Sequence, residues 1–185
     1  PFPLADLSYL LLGAKDKKVV ITYHSDIVRQ KKVMKFYKPF LLKFFKLADR
    51  IIVTSPNLLQ SSQYLAPYKD KCIVIPPSIP IEEYDYIDQK FDIGVSQGER
   101  VVLFMGRLCY YKGVEYLIEA MQSVDAKLLI VGEGDLRKEL EEKALSLGLE
   151  NKVNFLGKIS FEQLKYCYQI CDVFVLPSVE PTEAF

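Results

Sequence analysis

Val101-Val102-Leu103-Phe104-Met105-Gly106-Arg107-Leu108-Cys109-Tyr110-Tyr111-Lys112-Gly113-Val114 is a strand, a glycine-bounded turn and the start of a helix in one line of sequence. The run 101–104 is apolar throughout rather than alternating, as in a strand covered on both faces of a parallel sheet. After the turn, Val114, Leu117, Ile118 and Met121 fall at i, i+3, i+4 and i+7, one face of a helix. Six further runs resemble the first: Val19-Val20-Ile21-Thr22, Ile51-Ile52-Val53-Thr54, Ile73-Val74-Ile75, Leu128-Leu129-Ile130-Val131, Val153-Asn154-Phe155-Leu156 and Val173-Phe174-Val175-Leu176. Helical patterns lie between most of them. Leu136, Leu140, Ala144 and Leu147 form one stripe, ended by Gly148. Ser160-Phe161-Glu162-Gln163 opens another, with Ser160 as N-cap and Gln163 at the capping-box position. Alternating strands and helices predict an α/β architecture with parallel sheets.

The rhythm breaks at Pro76-Pro77-Ser78-Ile79-Pro80, an acidic aromatic stretch to Asp92, and the glycines Gly94 and Gly98. This predicts two domains, 1–80 and 99–185, joined by a linker over 81–98. Charge divides in the same place. Residues 1–60 carry eleven Lys/Arg against four Asp/Glu, and residues 81–185 carry eleven against nineteen, while the whole chain of 185 residues is neutral. A 50% hydrophobic, 26% charged composition is ordinary for a globular protein and excludes collagen-like and low-complexity classes. Apolar runs of about five residues are far short of the roughly 20 that cross a bilayer. The opening Pro1-Phe2-Pro3 has no targeting pattern, and with no initial Met and a stop after an apparent strand the chain reads as part of a longer one. Four cysteines without a CxxC pair, and a single histidine, predict no metal site.

Four places carry chemistry. At Gly106–Gly113 two glycines permit close backbone approach, and Arg107 and Lys112 flank a helix N-terminus beyond a strand end. That combination suits a diphosphate; a surface loop with two solvated cations is the plain alternative. Val131-Gly132-Glu133-Gly134-Asp135-Leu136-Arg137 begins like a dinucleotide fingerprint, but Arg137 stands where the third glycine belongs, so NAD binding is rejected and Asp135 is expected to cap the next helix. His24-Ser25-Asp26 follows a strand directly and is either functional or structural. Pro177-Ser178-Val179-Glu180-Pro181-Thr182-Glu183 follows the last strand, with acids able to bond sugar hydroxyls or simply solvated.

In this order the motifs resemble the retaining glycosyltransferases of family 4, with two Rossmann-like parallel-sheet domains of GT-B type, both incomplete here. The carriers are Gly106-Arg107-Leu108 with Lys112-Gly113, Val131-Gly132-Glu133-Gly134, Phe155-Leu156-Gly157, Asp172 through Pro177-Ser178, Glu183-Ala184-Phe185, and Ala48-Asp49-Arg50-Ile51-Ile52-Val53-Thr54-Ser55. Residues 24–30 resemble bacterial O-antigen and polysaccharide-assembly enzymes. The resemblance implies that Arg107 and Lys112 hold the donor diphosphate, and that Glu183 contacts the donor sugar. It implies that Gly157, Lys158 and Ile159 meet the nucleobase by backbone, with Gly106 beside the phosphates, and that His24 lines the cleft near the transferred sugar. It implies transfer of a hexose, with mannose as the expected sugar, from GDP-mannose or a UDP-sugar to a saccharide or lipid-linked hydroxyl. The transfer would be retaining, metal-independent and without a further cofactor. Pro77 and Ser78 depart from the family's usual linker turn.

Residues 29–50 hold eight Lys/Arg against one Asp. A helical wheel places Val33, Phe36, Tyr37, Phe40, Leu41 and Phe44 inward, with Lys31, Lys35, Lys38 and Lys46 opposite, Leu42 among them and Phe45 beside them. Such a face suits an anionic membrane surface, and a solvated face is the alternative. The expected location is cytoplasmic, at the inner face of a membrane, with no nucleic-acid partner. A non-catalytic nucleotide-binding module, a peripheral membrane adaptor and a glycogen- or sucrose-type transferase of the same fold are the competing readings.

Overall fold

The computed structural model describes residues 3–13, 16–26 and 31–180. They divide into two compact units, one up to Ile79 and one over Pro80–Glu180. Each is an α/β unit around an all-parallel sheet.

The first unit contains α1 (Pro3–Leu12), β1 (Val20–Tyr23), α2 (Lys31–Leu47), β2 (Arg50–Val53), α3 (Pro56–Ser61) and β3 (Cys72–Val74). Its sheet has the order β1-β2-β3. Ser55 caps α3 by accepting the Leu58 N–H at 3.1 Å. The strands are short, and only β2 is well covered; Val20 on β1 is exposed. Burial on both faces therefore fails at the outer strands of this sheet.

Helix α2 corrects the wheel drawn from sequence. Its buried side chains are Met34, Tyr37, Leu41 and Phe45, with Ala48 just beyond the helix, whereas Phe36 is 78% and Phe40 45% exposed. Phe45 lies edge-on to Tyr23 at 5.2 Å and to Tyr68 at 5.8 Å, and is fully covered. Apolar residues occupy more than half the circumference, so the sequence alone allowed two stripes sharing Tyr37 and Leu41. The rings available on β1 and near β3 selected the one containing Phe45. The helix runs through Pro39. Tyr37 donates to the buried Asp6 carboxylate of α1, and burial, reinforced by that carboxylate, raises the Tyr37 pKa well above its ordinary value.

The second unit contains β4 (Val101–Met105), α4 (Val114–Ala120), β5 (Lys127–Val131), α5 (Arg137–Ser146), β6 (Val153–Gly157), α6 (Phe161–Ile170) and β7 (Val173–Phe174). The sheet order is β6-β5-β4-β7. Val114, Leu117, Ile118 and Met121 are all buried against Phe104, Leu128 and Ile130, as the sequence spacing requires. Ser160 and Gln163 form the expected capping box on α6. The last strand is shorter than its apolar run, and Val173 and Phe174 are exposed.

The stretch read as a linker, 81–98, is fastened to this unit. Ile87 exchanges two 3.1 Å hydrogen bonds with the Gln169 side chain of α6. Tyr84 packs on Phe161 and Tyr168. Asn154 on β6 donates to the carbonyls of Ile93 and Gly94, each at 3.0 Å.

Candidate functional site

In the second unit the chain runs from β4 outward to β5 and β6, then returns to place β7 on the other side of β4. The loops after β4 and β7 therefore flank a switch point at the C-terminal edge, where open α/β sheets bind ligands. The loops along this edge are tied by their backbones. Gly106 N–H donates to Val131 O at 3.0 Å, Leu108 N–H to Glu133 O at 3.0 Å, and Leu136 N–H to Leu108 O at 3.2 Å. Gly132 N–H donates to Gly157 O at 2.8 Å, and Val179 N–H to Tyr111 O at 3.0 Å.

Two glycines make this lacing possible. Gly132 has φ +125°, and a Cβ there would overlap the Gly106 carbonyl. A Cβ on Gly134 would overlap the Leu108 carbonyl. The GxG of the false dinucleotide motif thus serves close backbone approach to a neighbouring loop.

Arg107 and Lys112 both stand on the β4–α4 loop, within one unit. Arg107 is exposed and its Nη2 lies 3.3 Å from Asp135 Oδ2. That pairing corrects the expected capping role: α5 has no side-chain N-cap, and Asp135 turns to the arginine instead. Lys112 closes a short 3-10 turn, Tyr110–Lys112, and its ammonium lies over the Tyr111 ring, 5.8 Å from the centroid. Its stem runs beside Gly106, whose added Cβ would be 3.6 Å from Lys112 Cε. The loop thus carries a planar fork and a point charge, groups of the kinds that can hold a diphosphate.

Gly157 ends β6 with φ +66°. The register slips here, pairing Ile130 with Phe155 but Val131 with Gly157, so Leu156 is a bulge. Lys158 beyond it is exposed, and Ile159 packs on the core beneath. Arg137 is a participant that the sequence reading treated only as a spoiled glycine. It donates to Glu141 at 2.8 Å, to Glu133, and to Phe155 O at 3.4 Å. Hydrogen bonding to Glu141, with the charges of Glu133 and Glu141, raises its pKa above the ordinary value against the effect of burial. The signal was present in sequence: acids stand four residues before and four after it.

His24 lies in the first unit, exposed, beside a cavity of about 330 Å³ lined by Asp6, Tyr23, Ser25, Leu41 and Phe44 among others. Its neighbour Asp26 is a structural hub: it accepts from Tyr23 Oη at 2.8 Å and Ser62 Oγ at 2.7 Å. Burial, then the Asp26 charge, raises the Tyr23 pKa far above normal. Glu183, and residues 27–30 of the basic segment, lie outside the described residues. Among the described residues no group of three His, Cys, Asp or Glu is placed to hold a metal, and no helix is long and apolar enough to cross a membrane. The cysteines are free; burial pushes Cys167 up to about 11.

Residues 85–185 match the family model for Glycosyl transferases group 1. The chain belongs to that family. Residues 1–83 match the model for Glycosyltransferase Family 4. Among curated relatives, D-rhamnosyltransferase WbpZ of Pseudomonas aeruginosa is 38% identical over 187 residues, spanning 100% of this chain and 49% of the relative. O-antigen chain mannosyltransferase C of Escherichia coli is 37% identical over 186 residues, spanning 100% and 50%. The chain therefore spans about half the length of the curated relatives it matches. The sucrose-phosphate synthase structure from Thermosynechococcus elongatus superposes with a TM-score of 0.79 at 25% identity, covering 97% of this chain and 50% of the other. The two parallel sheets with alternating helices are those of GT-B glycosyltransferases.

Proposed function

We propose that this chain is part of a glycosyltransferase that moves a hexose from a nucleotide-diphosphate sugar to a hydroxyl of a saccharide or lipid-linked acceptor, in assembly of a cell-surface polysaccharide. The observation that carries the reading is Arg107 and Lys112 on one glycine-bounded loop at the switch point of the second sheet. A departing nucleoside diphosphate needs compensating positive charge, and these two groups supply it without a resident metal ion. Arg107 exchanges Asp135 for phosphate oxygens, and Lys112 approaches from the other end of the loop. The backbone of Gly157, Lys158 and Ile159 meets the nucleobase, and Glu183 bonds the sugar hydroxyls. His24 is assigned to the transferred sugar. Mannose, carried on GDP, is the sugar of this proposal, with retention at the anomeric carbon; the name of one relative, O-antigen chain mannosyltransferase C, supports the sugar.

Release of nucleotide from a panel of GDP- and UDP-sugars by the full-length protein, with EDTA present, tests this. Arg107→Ala or Lys112→Ala is expected to lower turnover by about 10²–10³-fold, the usual loss when one group stabilising a developing charge is removed. More than half the wild-type rate in either variant removes the assignment. Nucleotide binding with no turnover of any donor favours a binding module.

The acceptor side has a second support. The exposed face of α2 carries Phe36, Phe40 and Leu47 among Lys35, Lys43 and Lys46. Apolar rings set among lysines suit an anionic lipid surface, where each cation is worth about 1 kcal/mol. Co-sedimentation with anionic vesicles at low salt is expected, and Phe36→Ser with Phe40→Ser should weaken it severalfold. Equal pelleting with neutral vesicles, or none with anionic ones, removes the membrane contact.

A further inference from the structure

Three contacts hold the end of β6, at Gly157 and Phe155. The Gly157 carbonyl accepts from Gly132 N–H at 2.8 Å. Its α-carbon is covered by an ion pair: an added Cβ would stand 2.7 Å from Glu133 Oε1 and 2.9 Å from Arg137 Nη1. Two residues earlier, the Phe155 carbonyl accepts from Arg137 Nη2 at 3.4 Å. Between the last two anchors lies the Leu156 bulge, where strand pairing is interrupted and the backbone has lost its ladder register. Arg137 bridges that interruption. Its fork reaches Glu133 on the β5–α5 loop and Phe155 O on β6, and its Nε is fixed by Glu141 one turn along α5. A planar guanidinium can satisfy three acceptors in fixed directions, which a lysine cannot.

We propose that Arg137 is a positioning residue for nucleoside recognition: by clamping Glu133 and Phe155 O around the Leu156 bulge, it sets where the Gly157–Ile159 backbone presents its polar groups to the base. The inference rests on the donor-site reading given above. Arg107 and Lys112 act on the diphosphate, and Arg137 acts on the nucleoside half through the backbone alone. The Arg137 side chain is engaged by Glu133, Glu141 and Phe155 O and has no direct part in holding phosphate or sugar. Nucleoside discrimination and diphosphate affinity are therefore separable.

Titration of the full-length protein with GDP, UDP and inorganic pyrophosphate separates them. Arg137→Ala should weaken binding of the preferred nucleoside diphosphate by about tenfold, the worth of one or two backbone hydrogen bonds. It should narrow the preference between GDP and UDP and leave pyrophosphate affinity within about twofold. KM for the donor should rise while kcat changes little. Glu133→Gln, which weakens the clamp without removing the arginine, should move the same ratio in the same direction by a smaller factor and serves if Arg137→Ala does not fold. An unchanged ratio of nucleoside diphosphate to pyrophosphate affinity in either folded variant overturns the proposal, as does an equal loss of both ligands. Arg107→Ala reports on the underlying reading separately: it should weaken all three ligands together. If it weakens none, the donor site itself is misplaced and the Arg137 proposal falls with it.

Discussion

The two units close the N-terminal edges of their sheets in the same way and the C-terminal edges in different ways. At the N-terminal edge, Asp49 precedes β2 and accepts the Val19 N–H at 2.8 Å, while its own N–H returns to Val19 O at 2.8 Å. In the second unit Asp172 precedes β7, accepts the Val101 N–H at 2.7 Å, and returns its N–H to Val101 O at 2.9 Å. One aspartate clasp thus starts a parallel strand pair in both sheets. At the C-terminal edge the likeness ends. The loop after β1 is held by side chains, with Asp26 receiving two hydroxyls. The loops after β4 and β5 are held by peptide groups across Gly106, Gly132 and Gly134. Where peptide groups lace the edge, the loop shape does not depend on the Arg107 and Lys112 side chains, which meet Asp135 and the Tyr111 ring instead. A side-chain-laced edge uses its polar groups for its own shape: Asp26, two residues after His24, is occupied by Tyr23 and Ser62.

The lacing is most sharply tested at Gly132. Gly132→Ala places a methyl group on the Gly106 carbonyl at a backbone angle that only glycine adopts easily, and should cost about 2–4 kcal/mol in denaturant unfolding. Gly98→Ala, where φ is also positive but nothing lies within 4 Å, should cost only about 1–2 kcal/mol. Equal losses would mean that strain alone, and not the neighbouring loop, matters at Gly132.

The side-chain-laced loop should be less sensitive. Asp26→Ala leaves the Tyr23 and Ser62 hydroxyls without their acceptor, and about 1–3 kcal/mol is expected. Asp26→Asn, which keeps an acceptor oxygen, should recover much of it. A loss as large as that of Gly132→Ala would erase the contrast between the edges.

The smallest effect belongs to the clasp. The Val19 N–H, then Lys18, hold the Asp49 carboxyl below its ordinary pKa. A lowered folded-state value means that its contribution is complete above about pH 4, the unfolded carboxylate range, and fades as pH falls through the folded value. Asp49→Asn should therefore flatten the acid limb of stability against pH without moving the neutral region's slope. An unchanged acid limb would show that the clasp works by shape and not by charge.

Much of this molecule can be read one short window at a time. The 114–121 stripe, Gly148 as a helix stop and the Ser160 capping box depend on neighbours within a few residues and stand where their spacing puts them, and each apolar run holds a strand, the last one shortened to Val173–Phe174. The cationic loop was legible for the same reason: a strand, two glycines, two cations and a helix in unbroken order. The misreadings share a different cause. Phe36 and Phe45 are alike in sequence, and which one is buried depended on Tyr23 and Tyr68, contributed from elsewhere in the unit. Asp135 could cap α5 or meet Arg107, and the distance between the β4 and β5 loops chose the latter.

Hydrophobic periodicity and turn chemistry act locally, and they are enough to specify two parallel α/β units with the Arg107–Lys112 loop after a central strand. Tertiary packing selected the buried face of α2, the partner of Asp135, the twin aspartate clasps and the hold of Arg137 on Phe155 O. Each of those depends on which distant groups arrive within hydrogen-bond or van der Waals reach, and the packing of the sheet against its helices determines that.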